Sequence, residues 1–374
     1  MDIQLKEVTS SKDLRKFILY PTNLYKGNPY YVPSLYMDDF NTLSWDKNPA
    51  FAFARTKYWL AYRDGKIVGR VAAILTPKAA EKWGHKYMRF GWLDFIDEPE
   101  VLRVLMSAVE GWAREEGMEA VQGPLGFTDL DREGMLVDGF DELATLATYY
   151  NYPYYPQRLE ALGYTKDADW VEYEFTIPEK PIEKITKAAE LIAKRANVHL
   201  YKPRSKKELL LYVKPLFSVL EEAYRNLYGV TPLTEAQVNA YIDQYFGLAI
   251  KEYVPMVLNE KNELVAFGIA FPSFSKALQA SGGRIFPFGW FHLLRALKNN
   301  ERADLYLIGV KDEYRGKGVN ALVMNQIMEA FIKNGVKKVE SNPNLENNND
   351  VQAQWRHFEN RQHKRRRSYI KQLS

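Results

Sequence analysis

The chain has 374 residues, of which 46% are hydrophobic and 26% charged, and its 51 lysine and arginine residues exceed its 47 acidic residues by four. This composition predicts a folded protein of two domains and excludes a disordered or collagen-like chain. The sequence contains no cysteine, which excludes disulfide frameworks, thiolate metal sites and cysteine nucleophiles.

The start of the chain mixes charged residues with single apolar residues and has no apolar core of a signal peptide. No segment approaches the roughly 18 consecutive apolar residues of a membrane-spanning helix. The small net charge does not by itself indicate an anionic partner. The sequence therefore predicts a cytoplasmic protein, and no membrane or nucleic-acid partner is expected.

The first half opens with a helix and then a β-hairpin. Two hydrophobic strands, 58–62 and 67–74, flank the pair Asp64-Gly65. An Asp-Gly pair readily adopts the positive φ angles of a tight hairpin turn. A helix at 105–116 and a strand at 118–121 follow.

An acidic stretch lies between the hairpin and this helix. It contains Asp94, Asp97, Glu98 and Glu100 and has no pair of glycines. Carboxylates at this position would repel a phosphate group. We expect Asp97 and Glu98 to cap the helix that follows.

A long stretch from 126 to 155 then carries many charged residues, followed by five tyrosines. Long loops in compact proteins are often functional. The stretch would form either one wall of an acceptor pocket between the two halves or a tyrosine-rich packing surface. Both interpretations remain open at this stage.

The second half repeats the order of elements in the first. Ser205 precedes a helix as Ser10 does, and a hairpin, a strand, a helix and a strand follow in both halves. Two copies of one mixed α/β fold are therefore predicted, and the alternative is a chance likeness of two unrelated domains. The matching segments of the second half are 205–212, 255–258, 264–270, 303–310, 323–333 and 336–339.

Two prolines at 178 and 181 precede a charged helix predicted at 182–195. Such a stretch is typical of a domain boundary. The predicted domains are 1–178 and 179–374.

A glycine-rich turn, Arg315 to Asn320, follows the buried strand 303–310 and opens a helix. Free backbone N–H groups and the helix dipole make such a turn an anion site. A P-loop is excluded, because Gly318 stands where serine or threonine is required. A dinucleotide motif fits Gly316, Gly318 and Ala321, but five residues separate the strand from the first glycine.

The same turn resembles the acyl-CoA signature of the GCN5-related N-acetyltransferase (GNAT) superfamily. Arg315 and Gly318 occupy signature positions, and Asn320 stands where the signature has glycine or alanine. The order of elements in both halves is also similar to this fold. The resemblance implies an α/β fold with a mixed α+β sheet, in which two GNAT folds follow in tandem and the first lacks the pyrophosphate turn.

By this resemblance the protein would bind acetyl-CoA or another acyl-CoA in its second half. Asn348 would contact the cofactor, and Trp355 stands near the position where the family usually has a tyrosine that protonates the thiolate. The pantetheine arm would lie beside Ile308, Gly309 and Val310, and the pyrophosphate would bind at Arg315, Gly316, Lys317, Gly318, Val319 and Asn320.

Asp304 is a candidate general base, because an acid in an apolar strand has a raised pKa and its spacing to Arg315 resembles that in histone-acetylating members. The alternative is an aspartate that caps a loop. The five histidines show no ligand spacing, so no metal site is expected. The basic tail 361–367 is interpreted as a solvated face of a closing strand rather than a nucleic-acid site.

The predicted function is N-acylation of a small-molecule or peptide amine. The alternatives are a non-catalytic acyl-CoA or metabolite sensor, an NAD-binding protein and an aminoacyl-tRNA-dependent peptidyltransferase-like protein. The segment 271–297 would be a lid over the acceptor, with membrane contact as the lesser alternative.

These expectations predict one CoA per chain, because only the second half has a glycine turn with basic residues. Isothermal titration calorimetry with CoA should give a stoichiometry of about one. Two equal sites per chain would contradict the prediction.

Overall fold

A computed structural model of the protein describes residues 2–352, 354–355 and 358–373. The strands are β1 Gln4–Glu7, β2 Arg55–Arg63, β3 Lys66–Leu75, β4 Tyr87–Phe95, β5 Ala120–Gly123, β6 Met135–Asp138, β7 Thr165–Thr176, β8 Val198–Tyr201, β9 Met256–Asn259, β10 Leu264–Pro272, β11 Arg302–Val310, β12 Lys338–Ser341, β13 Asn344–Leu345 and β14 Asn360–Gln372. The helices are α1 Ser11–Leu24, α2 Tyr36–Leu43, α3 Pro77–Trp83, α4 Pro99–Glu115, α5 Tyr154–Ala161, α6 Glu183–Ala196, α7 Lys206–Tyr224, α8 Glu235–Tyr245, α9 Ser275–Ser281, α10 Gly289–Lys298, α11 Val319–Lys333 and α12 Asn349–Gln352.

One mixed sheet runs through the described residues. Its strand order is β1-β2-β3-β4-β5-β14-β7-β12-β11-β10-β9-β8, with β6 beside β14 and β13 beside β7. Each half contributes an antiparallel hairpin and a parallel pair, β4 with β5 and β11 with β12. The mixed α/β fold predicted from the sequence is confirmed.

The two halves exchange their closing strands at the centre of this sheet. The last strand of the first half, β7, lies between β12 and β14, so it completes the sheet of the second half. The last strand of the second half, β14, lies between β7 and β5. The pattern of elements did not predict this exchange, and the boundary at 178/179 stays a prediction.

The central strands carry buried ion pairs. Arg366 of β14 is fully buried, and its guanidinium pairs with Glu172 of β7 and donates to the carbonyl of Tyr149 at 2.6 Å. Lys364 lies 3.3 Å from Glu172 and also pairs with Glu340 of β12. The interpretation of 361–367 as a solvated face is wrong for these two residues, because β14 is an interior strand.

The carboxylates of the acidic stretch in the first half pair with arginine and tyrosine side chains instead of capping the helix that follows. Asp94 is buried, where it accepts hydrogen bonds from Arg70 and from the hydroxyl of Tyr25, both at 2.8 Å. Glu98 precedes α4 but makes no capping hydrogen bond, since its carboxylate pairs with Arg63. Asp97 accepts from Arg158. The expectation that Glu98 caps this helix with its side chain is therefore wrong.

The Glu172→Ala variant should lose about 3–5 kcal/mol of unfolding free energy, because it leaves the buried Arg366 without its carboxylate. Urea unfolding followed by circular dichroism measures this loss. Glu183→Ala is the matched control, because Glu183 pairs with Lys187 on the exposed face of α6 and should have almost no effect. Equal losses in the two variants would contradict a structural role of the buried pair.

Candidate functional site

The sheet splays open beside β11. This strand pairs with β12 only from Arg302 to Leu305, and the chain then leaves the sheet at Asn342, whose N–H donates to the Leu305 carbonyl at 3.1 Å. The next short strand, β13, pairs with β7 instead. Among the described strands, none pairs with this edge of β11 from Tyr306 to Val310. Side chains reach it instead, and the Tyr306 carbonyl accepts a hydrogen bond from Nδ2 of Asn342 at 3.2 Å.

A tyrosine from α7 reaches the splayed edge. The hydroxyl oxygen of Tyr224 accepts a hydrogen bond from the backbone N–H of Ile308 at 3.4 Å. Burial raises the pKa of Tyr224 to about 12, so the phenol is protonated near neutral pH. No described group accepts a hydrogen bond from this hydroxyl, and no local pattern in the sequence indicates a role for this residue.

The glycine turn connects β11 to α11. Gly316 and Gly318 have φ angles of 72° and 77°, which favour glycine over other residues. A Cβ at Gly318 would lie 2.9 Å from Cδ1 of Ile192 in α6, so that side chain would have to shift. No described group accepts a hydrogen bond from the N–H groups of these two glycines. The turn therefore presents free donors at the N-terminus of α11.

The C-terminal end of α7 and the residues after it hold the turn in place. Arg315 donates to the carbonyl of Ala223 at 2.6 Å and lies 3.2 Å from the carboxylate of Asp312. The N–H of Asp312 donates to Glu222 at 2.7 Å. Arg315 remains half-exposed and thus available to an anionic ligand.

A cavity of about 680 Å³ begins at this turn and extends between the two halves. Three cofactor residues expected from the sequence do not line it: Gly309 packs against Phe267, Val319 is buried in the core, and Lys317 lies over the ring of Tyr314. The expected residues that do line it are Ile308, Val310, Arg315, Gly316, Gly318, Asn320 and Asn348.

The middle of the cavity is apolar. Its walls come from α7, from α8 and from the inner strands β10 and β11. An extended hydrocarbon chain is the ligand that such a lining favours. The apolar lining residues include Leu209, Val213, Leu216, Phe217, Leu227, Val230, Ile242, Phe246, Val254, Ile269 and Phe271.

The charged side chains that line the cavity from the first half are mostly acidic, with five carboxylates and the guanidinium of Arg132. Burial raises the pKa of Asp129 to about 6, and burial together with Asp39 raises the pKa of Asp38 to about 7. Burial also raises the pKa of Glu133 well above its usual range. Carboxylates in this environment suit the binding of an amine.

Part of the stretch 126–155 lines the cavity and part of it packs in the interior, and its role toward an acceptor stays a prediction. Asp129 and Leu146 line the cavity, whereas Tyr155 is buried and stacks against Phe95 with ring centroids 4.3 Å apart. Sequence reasoning missed Asp38 and Asp39. Acidic residues are common in the first turn of a helix, where they interact favourably with the helix dipole. Their position in the sequence therefore did not indicate that they line a cavity.

Asp304 lies away from this lining. It is buried opposite Glu340 in the register of β11 and β12, and it is not among the described residues that line the cavity. Burial and the charge of Glu340 raise its pKa to about 8. The group is therefore mostly protonated at pH 7, and its role as a base stays a prediction.

Trp355 and the histidines do not take part in the described lining. Trp355 is buried against Phe175, with ring centroids 4.6 Å apart. His363 lies 3.4 Å from Glu340, beside Glu172, whose partners Lys364 and Arg366 disfavour a cation there. His357 lies outside the described residues.

Comparison with known proteins identifies the second half. Residues 215–356 match the model of the acetyltransferase (GNAT) family. The second half of the chain is a GNAT domain.

Solved structures extend the GNAT fold to both halves. A tandem GNAT protein from the clavulanic acid biosynthesis pathway has a TM-score of 0.58 at 12% identity, covering 100% of this chain and 99% of that one. A GCN5-related N-acetyltransferase from Sphaerobacter thermophilus has a TM-score of 0.54 at 10% identity, covering 99% and 96%. These likenesses show the fold alone, a tandem pair of GNAT folds.

Two curated relatives match over most of their length. Protein YghO of Escherichia coli is 27% identical over 373 residues, which are 97% of this chain and 94% of that protein. A protein named bacterial ceramide synthase, from Caulobacter vibrioides, is 27% identical over 325 residues, which are 84% of this chain and 82% of that one.

The pKa of Asp304 predicts a pH-dependent effect on stability. The unfolded chain releases this proton near pH 4 and the folded protein near pH 8, so the group's contribution to stability falls as the pH rises between these values. The Asp304→Asn variant, which cannot ionise, should gain stability relative to the wild type at pH 8 more than at pH 5. Urea unfolding at both pH values tests this, and an equal difference at both would contradict it.

Proposed function

We propose that the protein is an acyl-CoA-dependent N-acyltransferase in which the second half binds the cofactor and the first half binds the amine. The observation that carries this proposal is the single cavity, which connects the glycine turn at Gly316 to the carboxylate of Asp129. Each end suits one substrate: free N–H donors suit a diphosphate, and carboxylates suit an amine.

The second half fits the shape of CoA. The N–H groups of Gly316 and Gly318, with Arg315 beside them, would hold the pyrophosphate, and the open edge of β11 would pair with the pantetheine arm. The bound cofactor would supply an acyl group as a thioester. Gly309, Lys317 and Val319 would support the turn and strand rather than touch the ligand.

We propose further that the transferred acyl group and the amine both carry long hydrocarbon chains. The support is the apolar middle of the cavity, which is far larger than an acetyl group requires. The relative named bacterial ceramide synthase favours the same class, since a ceramide is a long-chain amino alcohol acylated on nitrogen. An acyl-CoA longer than acetyl-CoA is thus the preferred cofactor.

Asp129 is the proposed general base. With a pKa of about 6 it is ionised above neutral pH and can take a proton from the ammonium group of the acceptor. Its charge also acts on the hydroxyl of Tyr224, which lies at the open edge of β11. The amine nitrogen then forms a bond to the acyl carbon, the carbon–sulfur bond breaks, and the CoA thiolate leaves; Tyr224 is placed to give it a proton.

The experiment measures release of the CoA thiol with a panel of acyl-CoA chain lengths and amines. The Asp129→Asn variant should lower kcat/KM by about 100-fold or more, because the acceptor loses its base. It should also remove the rise in rate with an apparent pKa of about 6. Palmitoyl-CoA with a long-chain amino alcohol should be the most active pair.

Asp304→Asn is the matched control, since it changes another buried aspartate with a raised pKa. It should retain the wild-type pH profile. A collapse of the rate in Asp304→Asn, with Asp129→Asn unaffected, would reverse the assignment of the base. Tight binding of acyl-CoA without turnover of any amine would contradict the enzyme and favour the sensor.

A further inference from the structure

An exposed aromatic surface lies on the segment that precedes and forms α10. Phe286 and Phe288 are 78% and 73% exposed, which is unusual for phenylalanine in a folded protein. The exposed large apolar side chains of this segment, of which Trp290 and Phe291 have ring centroids 6.2 Å apart, are called here the aromatic face. Its members are Phe286, Phe288, Trp290, Phe291 and Leu294.

The opposite side of this segment is anchored to the protein. Ile285, Leu293 and Leu297 pack against the main hydrophobic core, which contains the cavity residue Phe271. The carbonyl of Gly283 accepts a hydrogen bond from the N–H of Tyr36 in the first half at 2.8 Å. The segment that carries the aromatic face is therefore held by contacts to both halves, while the apolar side chains of the face itself stay exposed.

All the charged residues of the segment that carries the aromatic face are basic. No aspartate or glutamate occurs from Leu264 to Asn300. The segment has four exposed basic residues, and none of them forms a salt bridge with a described residue. These residues are Lys276, Arg284, Arg295 and Lys298.

We propose that the aromatic face docks on the surface of an anionic lipid bilayer. Aromatic and leucine side chains on one face, flanked by lysine and arginine, are the chemistry that inserts shallowly among headgroups. The uncompensated positive charge complements anionic lipids and would be unfavourable beside a basic partner. The described helices include none long and apolar enough to cross a membrane, so the contact is peripheral.

This inference revises the expectation of no membrane partner and goes beyond the proposed reaction. The expectation rested on the absence of a long apolar segment and on the small net charge of the whole chain, which averages the acid-free segment with acidic regions elsewhere.

The experiment sediments the full chain with sucrose-loaded vesicles, without acyl-CoA or amine. The wild type should bind vesicles of phosphatidylcholine and phosphatidylglycerol more tightly than vesicles of phosphatidylcholine alone, and added salt should reduce the difference. The double variant Phe286→Ser and Phe288→Ser should lower the partition coefficient at least about tenfold.

Matched control variants distinguish specific docking from non-specific adsorption to vesicles. Leu211→Ser removes a side chain of α7 that is 74% exposed but lies off the aromatic face, and it should bind as the wild type does. Substituting glutamine for Arg284, Arg295 and Lys298 should remove the preference for anionic vesicles. The same substitution at exposed basic residues of α6 should preserve it; these residues are Lys184, Lys194 and Arg195.

Three results would overturn the proposal: no binding to either vesicle, equal loss in the Leu211→Ser control, or a dimer in sedimentation velocity that the double phenylalanine variant abolishes. The last result would assign the aromatic face to a second copy of the chain. Because no substrate is present, failure of the proposed acyl transfer does not affect the outcome.

Discussion

The pairing of β7 with β14 is the interaction on which the rest of this structure depends. Each strand closes the sheet of the other half, so neither half has a complete sheet without its neighbour. The buried guanidinium of Arg366 and the carboxylate of Glu172 meet across this pair. A different register of the two strands would separate these charges and leave each unpaired in the protein interior. The cost of an unpaired buried charge therefore disfavours any other register. The exchange thus fixes the position of the first half against the second.

The fixed arrangement of the halves explains how one cavity combines two kinds of lining. The second half supplies the splayed edge of β11 and the free N–H groups of the glycine turn. The first half has lost such a turn, and its Asp94 is satisfied internally by Arg70 and Tyr25. Its contribution to the cavity is the acidic wall that contains Asp129. Two copies of one fold, of which only the second has a glycine turn, are consistent with the proposed division between a cofactor half and an acceptor half.

The features that could be predicted from the sequence are the order of elements in the two halves and local backbone conformations. The Asp64-Gly65 hairpin and the glycines of the turn impose backbone conformations on their own positions, and both appear where the sequence predicts them. The strand exchange could not be predicted, because the periodicity of a segment does not reveal which distant strand it pairs with. The burial of Arg366 could not be predicted for a related reason. A charged side chain is expected at the surface unless a buried partner of opposite charge is known. Asp304 stood out as an acid in an apolar strand, but only the register places it beside Glu340 instead of at the cavity.

The central claim is that one molecule of acyl-CoA and one amine meet in the cavity between the halves. A crystal structure with a bisubstrate analogue, in which CoA is joined covalently to a long-chain amine, tests it most directly. The account predicts the diphosphate at the N–H groups of Gly316 and Gly318, and the amine nitrogen within hydrogen-bond distance of Asp129. An analogue whose amine end lies away from the first half, or whose diphosphate binds elsewhere than the glycine turn, would contradict it.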